Sequence, residues 1–245
     1  MTVGAQLWMF NAISDETEMD RILSQLREGG FECVETMFGR PPHHRTVLDR
    51  IGMKCYATHV ALSANFDFAD LVGHCRQMGA SVVCISGLLQ WHKRSADDYK
   101  RSAEALTTLG SRCLAEGLSL QYHNHDFEFE LVDGTSTGMD LLISGFDPTV
   151  VSLCFDAGWA SKAGNNAALF MHEHSGIIRT VHLRDFRGSE SVALGTGDLD
   201  LKSQVKTVRQ LPLVQTVLVE QDPGTLNPVG DMILGRKYLV DCGLL

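Results

Sequence analysis

SLQYHNHDFEFE, residues 119–130, is the stretch from which the rest of the chain can be parsed. It has the form of a strand running into a loop. Side chains on a strand alternate sides, so Leu118, Leu120 and Tyr122 share one face while Ser119, Gln121, His123 and His125 share the other. One face is apolar and the opposite one carries two imidazoles. Polar groups turned into an interior must find partners there, and for histidines a metal ion is one such partner. If that is the partner here, other strands should end in the same way.

Working outward, short β-like runs end at Trp8, Glu35, His59, Ser86, His123, Asp156, Arg184 and Glu220. Between them, apolar residues at helical spacing and capping signals predict helices over residues 14–29, 68–79, 95–117, 139–144, 201–211 and 229–240, with 41–51 the poorest of the set. Eight strand ends separated by helices predict an α/β protein, a single (β/α)8 TIM barrel over residues 1–245. An open doubly wound sheet is the alternative, but no glycine-rich phosphate fingerprint follows the first strand.

Composition narrows the function. A chain of 245 residues can bury a sizeable core. A formal net charge of -9 argues against nucleic acid as the partner, because phosphate contacts need clustered Lys and Arg. No apolar run is long enough for a bilayer, and MTVGAQLWMF does not read as a signal peptide. The seven cysteines are odd in number and form no C-x-x-C pair, which suits reduced, buried thiols in a cytoplasmic protein.

In a barrel of this kind, outward side chains meet helices, while inward ones near the C-terminal strand ends carry the chemistry. By alternation, Val151, Leu153 and Phe155 face out, and Ser152, Cys154 and Asp156 face in. Val181 and Leu183 face out; Thr180, His182 and Arg184 face in. Cys33 and Glu35, then Cys55, Ala57 and His59, then Thr216, Leu218 and Glu220 are read as inward. The inward residues nearest the strand ends are therefore Glu35, His59, His123, Asp156, His182 and Glu220, all metal-ligand or acid–base types. The N/O set His123, Asp156, His182 and Glu220 comes from four consecutive strands. It suits manganese, cobalt, zinc or iron(II), with magnesium ranking below them. Plainer readings stand beside these. Asp156 could cap the next helix, and Glu35 and His59 could serve as supporting hydrogen-bond partners. Arg184 and Arg187 could pair with Asp185 or surface acids, and Glu128 and Glu130 read as solvated charges. The Gly195–Asp198 loop could cradle a phosphate or form a simple turn; the turn is the simpler reading.

With LQYHNHDFEFE, FDAGWASKAG, VHLRDFRG followed by LGTGDLD, and VLVEQD in order along the chain, the sequence resembles the sugar phosphate isomerase/epimerase family of xylose-isomerase-like TIM barrels. The resemblance implies a divalent metal at the barrel mouth, held by His123, Asp156, His182 and Glu220, with His125 as the rival on strand five. Many relatives have a glutamate on strand five, and several have a histidine where this chain has Trp159. The implied activity is isomerisation or epimerisation of a sugar or keto-sugar through a metal-stabilised enediolate. Glu220, His125 and Glu35 are the candidate catalytic groups. His59, Trp8, Trp159 and Arg187 are the candidate substrate contacts. Without a strand-five glutamate, two-carboxylate epimerisation is in question, and dehydration of a keto-polyol, as in inosose dehydratases, is the alternative. A nuclease of the same architecture and a non-catalytic barrel rank lower. The expected partner is a small carbohydrate, with no membrane partner, and the chain could form a homo-oligomer.

Overall fold

The computed structural model describes residues 1–40, 43–63 and 67–245. Residues 41–42 and 64–66, after the second and third strands, lie outside the described residues, and with them the start of the helix expected over 41–51. The barrel strands are β1 (Thr2–Gln6), β2 (Cys33–Met37), β3 (Lys54–Ala61), β4 (Val82–Ser86), β5 (Ser119–His123), β6 (Val151–Asp156), β7 (Ile178–Leu183) and, after a small hairpin, β10 (Thr216–Val219). All pair in parallel and close in the order β1-β10-β7-β6-β5-β4-β3-β2. At the seam between β1 and β10, Gly4 faces inward. A Cβ there would lie 2.5 Å from Cys33 Sγ and 2.5 Å from a Leu218 methyl, so only glycine lets these strands close.

The helices are α1 (Glu16–Glu28), α2 (His43–Ile51), α3 (Phe68–Met78), α4 (Ala96–Ala115), α5 (Gly138–Gly145), α6 (Ala157–Lys162), α7 (Ala167–Glu173), α8 (Leu201–Val208) and α9 (Pro228–Asp241). Their starts follow local chemistry. Asp15 caps α1, Ser95 and Asp98 form a capping box on α4, and Thr137 and Asp140 do the same on α5. The outward faces of the strands pack on these helices. Val34, Leu120, Tyr122, Leu153, Phe155, Val181, Leu183, Val217 and Val219 all belong to that one apolar cluster.

Four local expectations are corrected. The first strand stops at Gln6, and Trp8 opens a 3-10 turn, Trp8–Phe10. Helices α6 and α7 fill the β6–β7 connection, where no helix was expected beyond the one that Asp156 could cap, because neither segment is long enough to repeat an apolar period. An antiparallel hairpin, β8 (Asp185–Arg187) with β9 (Glu190–Val192), follows β7. Finally, Cys55 faces outward. The β2–β3 register shifts between Val34 and Glu35, which pair with Cys55 and Ala57. The extra residue, Tyr56, turns into the barrel and meets Thr180 Oγ1 at 2.6 Å.

Candidate metal centre and substrate cavity

At the C-terminal ends of β5, β6, β7 and β10, His123, Asp156, His182 and Glu220 converge. Each offers one ligand atom, and these atoms lie within 4.8 Å of one another. All four are buried. His123 is the strand-five histidine in this group. His125 sits beside it in the loop, its ring 5.2 Å from that of His123.

Neighbouring side chains hold the group in place. Asn124 clamps β5 to β6: its Oδ1 accepts from Asp156 N at 2.9 Å and its Nδ2 donates to Asp156 O at 3.1 Å. Asp156 does cap α6, accepting from Trp159 N at 2.8 Å through Oδ1, while Oδ2 accepts from Arg184 Nε at 2.8 Å. Asp156 is thus a helix cap and a member of the converging group at once. Glu220 Oε2 lies 2.6 Å from His182 Nδ1. Arg184 reaches Glu220 Oε1 through Nη2 and Asp222 Oδ1, at 2.9 Å, through Nη1. Gly158 makes room for this side chain, since a Cβ there would sit 2.2 Å from Arg184 Cγ.

A second layer lies behind the group. Glu35 Oε1 is 2.8 Å from His59 Nδ1, and His59 Nε2 is 2.8 Å from Ser86 Oγ. Glu35 Oε2 faces His182 Nε2 at 3.5 Å. The DFEF loop is also fixed from inside. Glu128 is fully buried, not solvated as expected, and accepts from Tyr122 Oη at 2.7 Å and from His125 N at 2.8 Å.

Charge in this region is unbalanced. Asp156, Glu220 and Asp222 share one guanidinium, that of Arg184, while Glu35 faces His59 and His182. Burial would lower the His182 pKa, but Glu35 and Glu220 outweigh it and hold the ring well above its ordinary value. Burial likewise opposes the charge on His59, yet Cys84 and Glu35 push it up to about 10. Burial raises Asp156 to about 6 against the pull of Arg184. Glu220 goes the other way, held well below the carboxylate range because Arg184 and His182 overcome its burial. His123 moves opposite to His59 and His182: burial, and then the positive His182, drive it far toward the neutral form. Its Nδ1 is buried without a hydrogen-bond partner. A neutral imidazole with an open buried nitrogen, beside two carboxylates and a second imidazole, fits a divalent cation.

The cavity above the group holds about 330 Å³ and is lined by Gln6, Trp8, Met37, His59, Ser86, Trp91, His123, His125, Trp159, Arg184, Glu220 and Asp222 among others. Of the expected substrate contacts, Trp8, Trp159 and His59 lie in this lining. Arg187 does not: it is exposed on β8 and donates to Thr196 O. The arginine that reaches the cavity is Arg184, two residues after His182 on the inward register. That register was its only signal. Trp91, from the β4–α4 loop, was also missed. After β7, the turn reading of residues 195–198 is the observed one. The Asp185 carboxylate accepts from Gly195 N at 3.0 Å, Gly197 N at 2.8 Å and Leu199 N at 3.3 Å, so the amides that could cradle a phosphate are already taken.

A barrel closed in this order, with donors on four consecutive strands, defines a class that comparison with known proteins places further. The model of the xylose isomerase-like TIM barrel family matches residues 3–239, and the chain belongs to that family. An inosose dehydratase of Clostridium perfringens is 28% identical over 165 residues, covering 58% of this chain and 54% of the relative. One from Geobacillus kaustophilus is 24% identical over 221 residues, covering 79% and 70%. The chain thus spans about half the length of the first curated relatives it matches. Among solved structures, a sugar phosphate isomerase/epimerase from Parabacteroides distasonis superposes with a TM-score of 0.84 at 16% identity, covering 99% of this chain and 94% of that one. A protein named IOLI, described with a bound zinc atom, gives 0.76 at 16% identity and coverage of 99% and 98%. Among the described residues, no helix is long and apolar enough to cross a membrane.

Proposed function

We propose that the chain is a divalent-metal-dependent enzyme that moves a proton next to the carbonyl of an unphosphorylated sugar or keto-sugar, acting as an isomerase or epimerase. The observation that carries this reading is the buried His123–Asp156–His182–Glu220 group at the base of a cavity walled by three tryptophans. A bound manganese, cobalt, zinc or iron(II) ion would supply Lewis-acid stabilisation of the enediolate charge that develops on the substrate. His123, Asp156, His182 and Glu220 would hold it. Trp8, Trp91 and Trp159 offer apolar faces to a sugar ring. Glu220 is the carboxylate at the reacting carbon. Arg184 keeps it ionised, which makes it a weak base, so the second proton carrier is assigned to His125, which lines the cavity and whose Nδ1 makes no hydrogen bond and lies 3.9 Å from Glu128 Oε1. Glu35 holds His59 against the substrate.

The unphosphorylated substrate follows from the charges. Among the described residues of the lining, the arginine, Arg184, gives its Nε, Nη1 and Nη2 to Asp156, Asp222 and Glu220, and Asp185 fills the loop after β7.

The names of the curated relatives favour a second reading, dehydration of a keto-polyol. His123 supports it, standing where a two-carboxylate epimerase needs a second glutamate. One assay addresses both. Metal-loaded protein is incubated in deuterated buffer with a panel of ketoses and cyclic keto-polyols and followed by NMR. Metal-dependent deuterium uptake beside the carbonyl is expected. Recovery of a new epimer or aldose supports the first reading, and loss of water supports the second. No exchange with any member of the panel would defeat both.

A further inference from the structure

Beneath the mouth group the barrel interior holds two thiols. Cys154 lies two residues before Asp156 on β6, and Cys84 lies on β4; both side chains are fully buried and pack in a small interior cluster with Ala57 and Val82. Cys84 Sγ, Cys154 Sγ and a ring nitrogen of His123 lie within 4.8 Å of one another. His123 is therefore a member of two donor groups. Upward it joins two carboxylates and an imidazole; downward it joins two sulfurs. Its unpartnered Nδ1 shows that the ring's hydrogen-bonding capacity is not used up by the protein itself.

The two groups differ in chemical character. Thiolates select soft, thiophilic cations, whereas the carboxylate-rich group suits harder ones. We propose that Cys84, Cys154 and His123 form a second metal site for thiophilic cations such as cadmium or copper(I), and that it competes with the mouth group because the two share His123. On binding, each thiol exchanges its S–H for an S–metal bond and releases the proton to solvent. His123 belongs to both groups, and Cys154 also lies within 4.8 Å of a donor atom of His182.

The test uses the whole purified chain, stripped of metal, with cadmium and cobalt(II) as probes. One equivalent of cadmium should produce a thiolate-to-metal charge-transfer absorption. Cys84→Ala or Cys154→Ala should abolish it, and Asp156→Ala should leave it in place. Cobalt alone should bind without a thiolate band, and adding cadmium should release it. If a cysteine variant fails to fold, the wild-type chain still decides. Alkylation during unfolding, mapped by mass spectrometry, should show Cys84 and Cys154 protected together by cadmium. Absence of the band at one equivalent, or protection at Cys33, Cys55, Cys75, Cys113 or Cys242 instead, would overturn the site. Cobalt retained after cadmium has bound would overturn the competition. Neither sulfur readout depends on turnover, so failure of the proposed catalytic function would leave them unaffected.

Discussion

The two ends of the barrel are lined by the same strands, yet they differ in chemistry and in size. At the mouth, carboxylates, imidazoles and a guanidinium crowd around a cavity of about 330 Å³. At the opposite end the cavity is larger, about 600 Å³. The charged side chains of its lining, Arg27, Glu32, Arg45, Asp49 and Lys54, are exposed or half-buried, and the buried polar contacts nearby are neutral. Tyr56 Oη meets Thr180 Oγ1 at 2.6 Å, and Gln121 Nε2 donates to Tyr56 Oη at 3.5 Å. The arginines around that larger cavity are tied to their own surroundings: Arg27 to Ile51 O, and Arg45 to Asp49 and Met78 O. Volume therefore does not locate the chemistry. Charge that the fold concentrates and leaves partly uncompensated does, because a buried charge persists only with a partner or a ligand.

The contrast can be broken or sharpened by substitution, and the largest effect is expected at the mouth. Asp156→Ala removes a donor, the α6 cap and a partner of Arg184 together. It should abolish stoichiometric binding of manganese or cobalt, measured by elemental analysis, and cost about 3–5 kcal/mol in denaturant unfolding. Arg184→Met strips the cation from three carboxylates. Stability of the metal-free chain should fall by a similar amount, about 3–5 kcal/mol. Added divalent metal should restore more of it than in the parent, because the ion takes over the neutralisation. Glu220→Gln should lower turnover by roughly 10²–10⁴-fold with the circular dichroism unchanged; near-normal turnover would remove Glu220 from the proton transfer.

Smaller effects follow. The His59 pKa is raised from 6.5 to about 10 in the fold, so its contribution to stability is full below about pH 6.5 and disappears as pH rises through about 10. Urea midpoints of the metal-free chain should decline across that window, and His59→Asn should flatten the decline. Least costly is a change at the other end. Tyr56→Phe leaves Thr180 without its partner and should cost about 1–3 kcal/mol, with turnover and metal content unaltered. A loss of metal there would mean that the two ends are coupled after all.

Much of this architecture was legible in one dimension. Alternation along VVSLCFD, TVHLR and TVLVE assigns the inward set, and the closed barrel brings the four chosen strand-end residues within reach of one another. The period of two carries this, because it is a local property of the backbone and survives any packing. Where the period slipped, so did the reading: the shift between Val34 and Glu35 sends Cys55 outward and Tyr56 inward.

What only tertiary structure decided is where long side chains spend their charge. Arg184 and Arg187 are three apart in one short segment, yet one is buried against three carboxylates from neighbouring strands while the other lies exposed on a hairpin. Glu128, which looks like a loop charge in sequence, is sealed under Tyr122. Asp185 fills the glycine-rich turn ten residues downstream. The sequence determines by itself the strand register and the kinds of groups delivered to the barrel mouth. It does not determine the pairing among them, because a salt bridge or an amide cradle is set by distances between segments far apart in the chain, and those distances exist only once the barrel has closed.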